Sequence, residues 1–497
     1  MKNTKTLKIP NTALLFVVAA PIVIFYYATY IFNPIHAGNL YLYIIQIGAD
    51  IIAMTVVGSL WATILLDIIQ PEHNRQDLKY HEDFLDKKLK VDVFIPVSRE
   101  PIEIVEKTLT AALNMDYPHT THVLDDGDSE EVEELAKRLG IEYLNRPKEN
   151  RRHAKSGNIN YAIERTKAEF FAVFDADHVP KASFLKELLP FFENEKVGLV
   201  QTPQHYTNTK KFIASGTAQA QEIFYKYVQP AKNSYNAAFC VGTNMIYRRS
   251  AIEEIGGIAR RDHSEDIWTT ILLHEKGWES IYYNKVLAQG RAPESIPSFF
   301  RQQNRWARGG FTLFFEKNPL FVESLTLDQR LQYFFSNVHY FSAFAILIYL
   351  SLPIIYLLTG QFSVDLNYGQ EWIFHYIPYA LIIYLLPYYL LGNLKLSTIS
   401  TAIASFSPYL QAFISTIFKN QYKWIATESG RTVQTPLIVY IWPQVLFIML
   451  SAVSILVGWF NPNDIITTLV VTFWSLVNMY LVFIFLRNGI MDSSTNE

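Results

Sequence analysis

FFAVFDADHVP, residues 170–180, is the stretch that decides how the middle of this chain folds. It opens with an apolar, aromatic-rich run of strand length, the composition of a buried β-strand. Asp175 and Asp177 follow at the end of that strand, two residues apart, so both point to one side. His178 comes directly after them. Two carboxylates and an imidazole with coordination positions left open suit a hard divalent cation, Mg2+ or Mn2+, bridged to phosphate oxygens. An Asp-x-Asp standing alone is common and reads first as a solvated loop. The buried run before it and further acids at other strand ends favour the cation.

Working outward, VDVFIPV (91–97), THVLDDG (121–127) and VGLVQTP (197–203) read as strands of the same kind. Amphipathic helical patterns separate them, EIVEKTLTAALNM (103–115) and SEEVEELAKRLG (129–140) among them. Strand–helix alternation implies an α/β unit with a mostly parallel sheet and helices on both faces. Its polar motifs cluster where strands end, which is where open α/β sheets bind ligands.

Four such motifs stand out. LDDGDS, 124–129, puts Asp125 and Asp126 at a strand end, either as an Asp-Gly turn or as ligand contacts. RRHAKSGNIN, 151–160, brings Arg151, Arg152, His153 and Lys155 to a loop that opens a helix. That loop is either a solvated charge run or a cradle for a diphosphate. HSEDIWTTILLHEKGW, 263–278, starts a helix at Asp266, whose carboxylate is either a cap or a general base. QQNRWARGG, 302–310, sets Gln302, Arg305 and Trp306 three and four apart, on one helical face. Arginine can neutralise a leaving phosphate, and tryptophan can stack on a pyranose ring.

The flanks are of another composition. Half of the 497 residues are hydrophobic, 15% are aromatic and only 18% are charged, against roughly 25% in soluble domains. Residues 11–32 and 39–70 precede the α/β unit, and 332–359, 372–392, 435–460 and 463–486 follow it, each long enough for a bilayer crossing. The first run is too long for a signal-peptide core. STISTAIASFSPYLQAFISTIFK, 398–420, mixes polar residues through its apolar ones and reads as a helix lying at the interface. Lys2, Lys5 and Lys8 precede the first span, while loops 33–38 and 361–370 hold no Lys or Arg. Positive charge marks the cytosolic side, so both termini and the α/β unit are expected there, in a multi-pass plasma-membrane protein. A net charge of −3 offers no basic field for nucleic acid. Cys240 is the only cysteine, which excludes an internal disulfide.

Taken in order, these residues resemble glycosyltransferase family 2, and within it the cellulose synthase catalytic subunits. The likeness runs from the first span to the last. It is carried by Asp125-Asp126-Gly127, His153-Ala154-Lys155-Ser156-Gly157-Asn158, Asp175-Ala176-Asp177-His178, Gln201-Thr202-Pro203, Phe239-Cys240, Ser264-Glu265-Asp266 and Gln302-x-x-Arg305-Trp306. The resemblance implies a GT-A-type cytosolic domain (71–330) set between two N-terminal spans (1–70) and a C-terminal part (331–497) with four spans, the interfacial helix and a gating loop (421–432). It implies Asp266 as catalytic base, and Glu100, Asp125, Asp126, Lys155, Asp175 and Arg305 as nucleotide contacts. Asp175, Asp177 and His178 would hold Mg2+ or Mn2+. Phe239, Cys240, Gly242, Gln302 and Trp306 would bind the acceptor, and Trp424, Thr427 and Gly430 would lie in the gating loop.

The activity so implied is inverting, processive transfer of glucose from UDP-glucose to a growing β-glucan, which passes through the bilayer. The partners are then the UDP-sugar donor, the polysaccharide acceptor and the lipid bilayer. Accessory subunits carry no signature in this sequence. The departures are specific. Pro96-Val97-Ser98-Arg99-Glu100 lacks the family's tyrosine, and Trp424 and Ser429 replace the family's Phe and Lys in the gating loop. The 497 residues hold no cyclic-di-GMP-binding domain, so regulation by that nucleotide is not expected within them. These leave a β-1,4 or a mixed β-1,3/1,4 product open, with a chitin- or hyaluronan-type synthase or a non-processive transferase to a lipid carrier as alternatives.

Overall fold

The computed structural model describes residues 9–69, 82–261, 263–419, 435–460, 462 and 464–494. Nine strands are described: β1 (Val91–Val97), β2 (Thr120–Asp125), β3 (Glu142–Asn145), β4 (Phe170–Val173), β5 (Val179–Pro180), β6 (Val197–Gln201), β7 (Met245–Arg248), β8 (Glu279–Tyr282) and β9 (Ala288–Gln289). Seven of them form one sheet in the order β3-β2-β1-β4-β7-β6-β8, and β5 pairs with β9. Alternate residues of β1 feed the two faces: Val93, Ile95 and Val97 join one core, and Phe94 joins the other with Leu124, Phe171 and Tyr247. This is the strand's period of two at work. Parallel pairing of β1 with β2 and β4, and of β2 with β3, requires crossovers. The helices Ile102–Leu113, Glu130–Leu139 and Ala154–Ile163 make them. The Glu130–Leu139 helix is set by its ends: Ser129 accepts from Val132 N, three glutamates sit in its first turn, and Gly140 closes it at φ 68°.

The sheet is mostly parallel, as expected, and mixed only at β7, which runs antiparallel to both β4 and β6. This brings residues 240–244, just before β7, back to the ends of β4 and β6. The Asp175–His178 segment differs from expectation. β4 ends at Val173, so the two aspartates lie in the turn beyond it, not on the strand. The turn, not the pleat, sets their direction. Thr108 Oγ1 donates to the Ala176 carbonyl at 2.7 Å and pins it.

Among the described residues, six helices are long and apolar enough to cross a membrane: Asn11–Ile31, Leu40–Ile68, Leu327–Thr359, Leu366–Leu391, Ile438–Phe460 and Ile465–Asp492. The third contains two helices, Leu327–Val338 and Ser342–Thr359, joined by a 3-10 turn. The single interfacial helix expected over 398–420 is also two, Leu396–Ala404 and Phe406–Ile417. Pro408 explains the break: it has no N–H for the Ala404 carbonyl. Gln444 Nε2 donates to that carbonyl at 3.2 Å instead. Phe406, Tyr409 and Ala412 of the second piece pack on Ala307 and Phe311 of the Ile296–Glu316 helix. The α/β part is stitched to the bundle by polar bonds: Tyr227 OH to Leu390 O at 2.5 Å, Gln219 Nε2 to Asn393 Oδ1 at 2.6 Å and Lys232 Nζ to Gln332 O at 2.5 Å.

Candidate active site

A cavity of about 620 Å3 opens where β1, β2 and β4 end. Glu100, Asp126, Lys155, Asp175, Asp177, His178, Gly242, Asp266, Gln302, Arg305 and Trp306 all line it. At the end of β1, Glu100 accepts from Ser98 N at 2.6 Å. Burial first, then the nearby Asp177 and Asp175, push its carboxyl up to about 7.

The two aspartates after β2 part company. Asp125 is fully buried, and its carboxylate accepts from Gly127 N (2.6 Å), Ser129 N (2.8 Å) and Tyr143 OH (2.9 Å). It braces its own turn and is not among the cavity-lining residues, so its expected nucleotide contact is not what the geometry provides. Asp126 does face the cavity, gripped by Arg146 Nε and Nη2 at 2.8 and 2.7 Å. Lys155, near the start of the Ala154–Ile163 helix, reaches the Asp175 carboxylate and the Gly242 carbonyl, the latter at 2.6 Å.

Ligand atoms of Asp175, Asp177 and His178 lie within 4.8 Å of one another. His178 Nδ1 sits 2.9 Å from Asp177 Oδ1, and its buried Nε2 has no hydrogen-bond partner among the described residues. Burial would raise the Asp177 carboxyl, but His178 outweighs it and holds the acid low; for His178 burial is likewise overridden by Asp177, and its pKa rises. Two carboxylates with one imidazole are the donor set of a divalent cation.

The opposite wall is helical. Asp266 is the second residue of the Glu265–Glu275 helix and accepts Ile267 N at 2.8 Å. Burial, and after it Glu265, raise its carboxyl to about 7 against the opposing pull of Lys155 and Arg305. Gln302, Arg305 and Trp306 project from the Ile296–Glu316 helix, with Gln302 Oε1 buried and unpartnered among the described residues. Two bonds fix that helix: Tyr409 OH to Gln303 Oε1 at 2.9 Å and Asn304 Nδ2 to Pro408 O at 3.0 Å.

Phe239 and Cys240 are not among the lining residues; Val241 and Gly242 are. Cys240 is fully buried, which pushes its thiol up, and Phe239 packs near Tyr333 and Phe224. Trp424, Thr427 and Gly430 fall outside the described residues. Sequence reasoning missed Arg146, Gln204, Tyr206, Arg261 and Arg291, which also line the cavity. Gln204 and Tyr206 carried a signal, since they follow the Gln201-Thr202-Pro203 strand end.

Residues 90–309 match the family described as Glycosyltransferase like family 2, and residues 253–401 the family described as Cellulose synthase. A cellulose synthase catalytic subunit (UDP-forming) of Pseudomonas fluorescens is 32% identical over 75% of this chain and 47% of its own length. The subunit of the same name from Komagataeibacter sucrofermentans is 35% identical over 59% of this chain and 40% of its own. The chain therefore spans less than half the length of these two relatives. Among solved structures, the mannosyltransferase PcManGT of Pyrobaculum calidifontis, in complex with GDP-Man and Mn2+, superposes with a TM-score of 0.50 at 15% identity. It covers 76% of this chain and all of its own, a likeness of fold. The chain thus holds a region that matches glycosyltransferase family 2 on an α/β fold like that of the GT-A enzymes, accompanied by six apolar helices among the described residues, and is similar to cellulose synthase catalytic subunits.

Proposed function

We propose that this protein polymerises glucose from UDP-glucose into a β-glucan by an inverting, processive transfer, and passes the product across the plasma membrane. The catalytic part, 71–330, lies on the cytosolic side between spans 1–70 and 331–497. The observation that carries the proposal is convergence. An acid whose carboxyl is raised to about 7 shares one cavity with a cation-holding triad and with the Gln302, Arg305 and Trp306 face. A base near neutrality is matched to taking a proton from a sugar hydroxyl.

In the transfer, Asp266 accepts the proton of the acceptor hydroxyl. That oxygen attacks the anomeric carbon from the face opposite the diphosphate, the C1–O bond to phosphate breaks, and UDP leaves. One displacement turns an α-linked donor into a β-linkage. Arg305 faces the charge that gathers on the leaving diphosphate, and Trp306 offers its ring to the terminal sugar. Asp175, Asp177 and His178 would hold Mg2+ or Mn2+, which supplies charge neutralisation at the diphosphate. Lys155 holds Asp175 in place.

The test is direct. Purified protein in lipid nanodiscs receives UDP-glucose, UDP-GlcNAc or UDP-GlcA with Mg2+ or Mn2+, and released UDP and polymer length are measured. UDP release with UDP-glucose and a long product cut by a β-1,4 or mixed-linkage glucanase are expected. UDP release with a monosaccharide adduct on lipid and no polymer would sink processivity, and release only with an amino or acidic sugar would sink the glucan.

A further inference from the structure

Arg146, directly after β3, is 2% exposed and lines the cavity. A guanidinium has five N–H donors in a rigid fork. All five are spent. Nε and Nη2 take the two oxygens of Asp126 at 2.8 and 2.7 Å. Nη1 donates to the carbonyls of Asn150 (3.2 Å) and Arg152 (2.8 Å), and Nη2 to that of Ala154 (2.9 Å). One planar group thus joins two separate pieces of backbone: the turn after β2 that bears Asp126, and the loop that delivers Lys155 to Asp175.

Two neighbours are shaped around this fork. A Cβ on Gly157 would run into the Arg152 carbonyl and Arg146 Nη1, so the helix start can wrap the guanidinium only with hydrogen at that position. Arg151 adds a second layer: its Nε donates to the Arg146 carbonyl at 3.1 Å, its Nη1 to the Asp126 carbonyl at 3.0 Å, and its Nη2 pairs with Asp128. Asp126 therefore stands in the cavity as a neutralised, oriented acceptor, with its fork-facing lone pairs already taken.

We infer that Arg146 is a positioning residue for the donor nucleotide: it sets the Asp126 carboxylate and the Lys155-bearing loop in fixed relation to each other. The inference rests on the UDP-sugar reading above. It acts on donor binding, because the base, Arg305 and Trp306 sit on other elements. Lysine cannot replace the fork, since its three donors at one point cannot span a carboxylate and three carbonyls.

The test compares wild type, R146K, G157A, D126N and the double variant D126N,R146K as full chains in nanodiscs. The measurements are kcat, KM for UDP-glucose, calorimetric Kd for UDP with Mg2+, and thermal unfolding. R146K and G157A are expected to raise KM and the UDP Kd together by about tenfold or more, the scale of one lost charge-assisted hydrogen bond. Their kcat should stay within about threefold of wild type and the low-pH limb of activity should not move. Adding R146K to D126N should cost less than R146K alone, because part of its action passes through that carboxylate. Unchanged KM and Kd in folded R146K, or loss of fold in both R146K and G157A, would overturn the inference and leave Arg146 a structural residue. Wild type that releases UDP from no UDP-sugar would instead overturn the functional reading on which it rests.

Discussion

The two walls of the cavity are built on opposite plans. On the sheet side, the charged groups are committed to others, Asp126 to Arg146, Asp177 to His178, Lys155 to Asp175 and Glu100 to Ser98 N, while His178 Nε2 is left unpartnered among the described residues beside the two carboxylates. On the helical side, Asp266 takes one bond from its own helix, and Gln302 Oε1 is buried with no partner among the described residues. Buried polar groups normally find partners, and leaving one without costs about 1–3 kcal/mol. The difference separates two tasks. A wall already hydrogen-bonded is preorganised to hold a ligand of fixed shape, here the nucleotide diphosphate. A wall with unsatisfied groups keeps them for a substrate that arrives, reacts and moves on.

The largest break of that contrast is at the helical wall. D266N keeps the shape and removes the base, so turnover should fall by about 10^2–10^4-fold while calorimetric UDP affinity stays within about twofold. If D266N polymerises at the wild-type rate, the base is elsewhere. In wild type the same carboxyl should set the low-pH limb. With its pKa near 7, the ionised form that accepts a proton is lost as pH drops. kcat/KM should then fall about tenfold per pH unit below about 7 and level off above it. R305A should cost about 10^2–10^3-fold in kcat, the scale of one lost electrostatic stabiliser. A pure KM effect would move Arg305 from the transition state to ground-state binding.

A smaller effect tests how the helical wall is assembled. Ser264 precedes the Glu265–Glu275 helix with φ 54°, and a Cβ on Gly309 would overlap its hydroxyl. Gly309 follows Arg305 by one helical turn, so the base-bearing helix and the Arg305 helix touch where no side chain intervenes. G309A must push them apart. Displacement of reacting groups by an ångström can cost about 100-fold, so a kcat loss of about 10–100-fold with UDP Kd unchanged is expected. Equal loss in UDP binding would place the damage on the sheet side instead.

The same two walls show what was readable from sequence. Asp175, Asp177 and His178 are neighbours in the chain, so a local turn suffices to gather them. Gln302, Arg305 and Trp306 share a helical face by spacing alone. The six apolar helices were legible from length and hydropathy. What escaped was phase and distance. Asp125 and Asp126 are chemically identical neighbours, yet one is sealed in its turn and the other lines the cavity. Cys240 and Val241 divide in the same way. A shift of one residue at a strand end reverses which side a group faces, and no motif encodes that. Arg146 escaped because its carboxylate partner is 20 residues away and its other three acceptors are backbone carbonyls, invisible in side-chain chemistry.

The smallest expected effect concerns stability, and its sign opposes the effect on activity. The Asp266 carboxyl is raised from 3.8 to about 7 in the folded chain, chiefly by burial. The folded state therefore keeps a proton that the unfolded chain releases near pH 4, and between about pH 4 and 7 the unfolded state is progressively favoured. Above pH 7 wild type holds a buried carboxylate at the cost of stability, whereas asparagine carries no charge to bury. D266N, nearly inactive, should then unfold at a higher temperature than wild type at pH 8, and the gap should close toward pH 5. A sheet-side control such as D177N should instead unfold at a lower temperature than wild type, most of all near pH 5, where the Asp177 carboxylate held low by His178 and the His178 imidazolium held by Asp177 are both charged, and the gap should narrow as pH rises through the raised pKa of His178. Scanning calorimetry of the two variants at both pH values decides it: if both shift in the same direction, the helical wall is no more strained than the sheet wall, and its unpaired groups are not held in reserve for substrate.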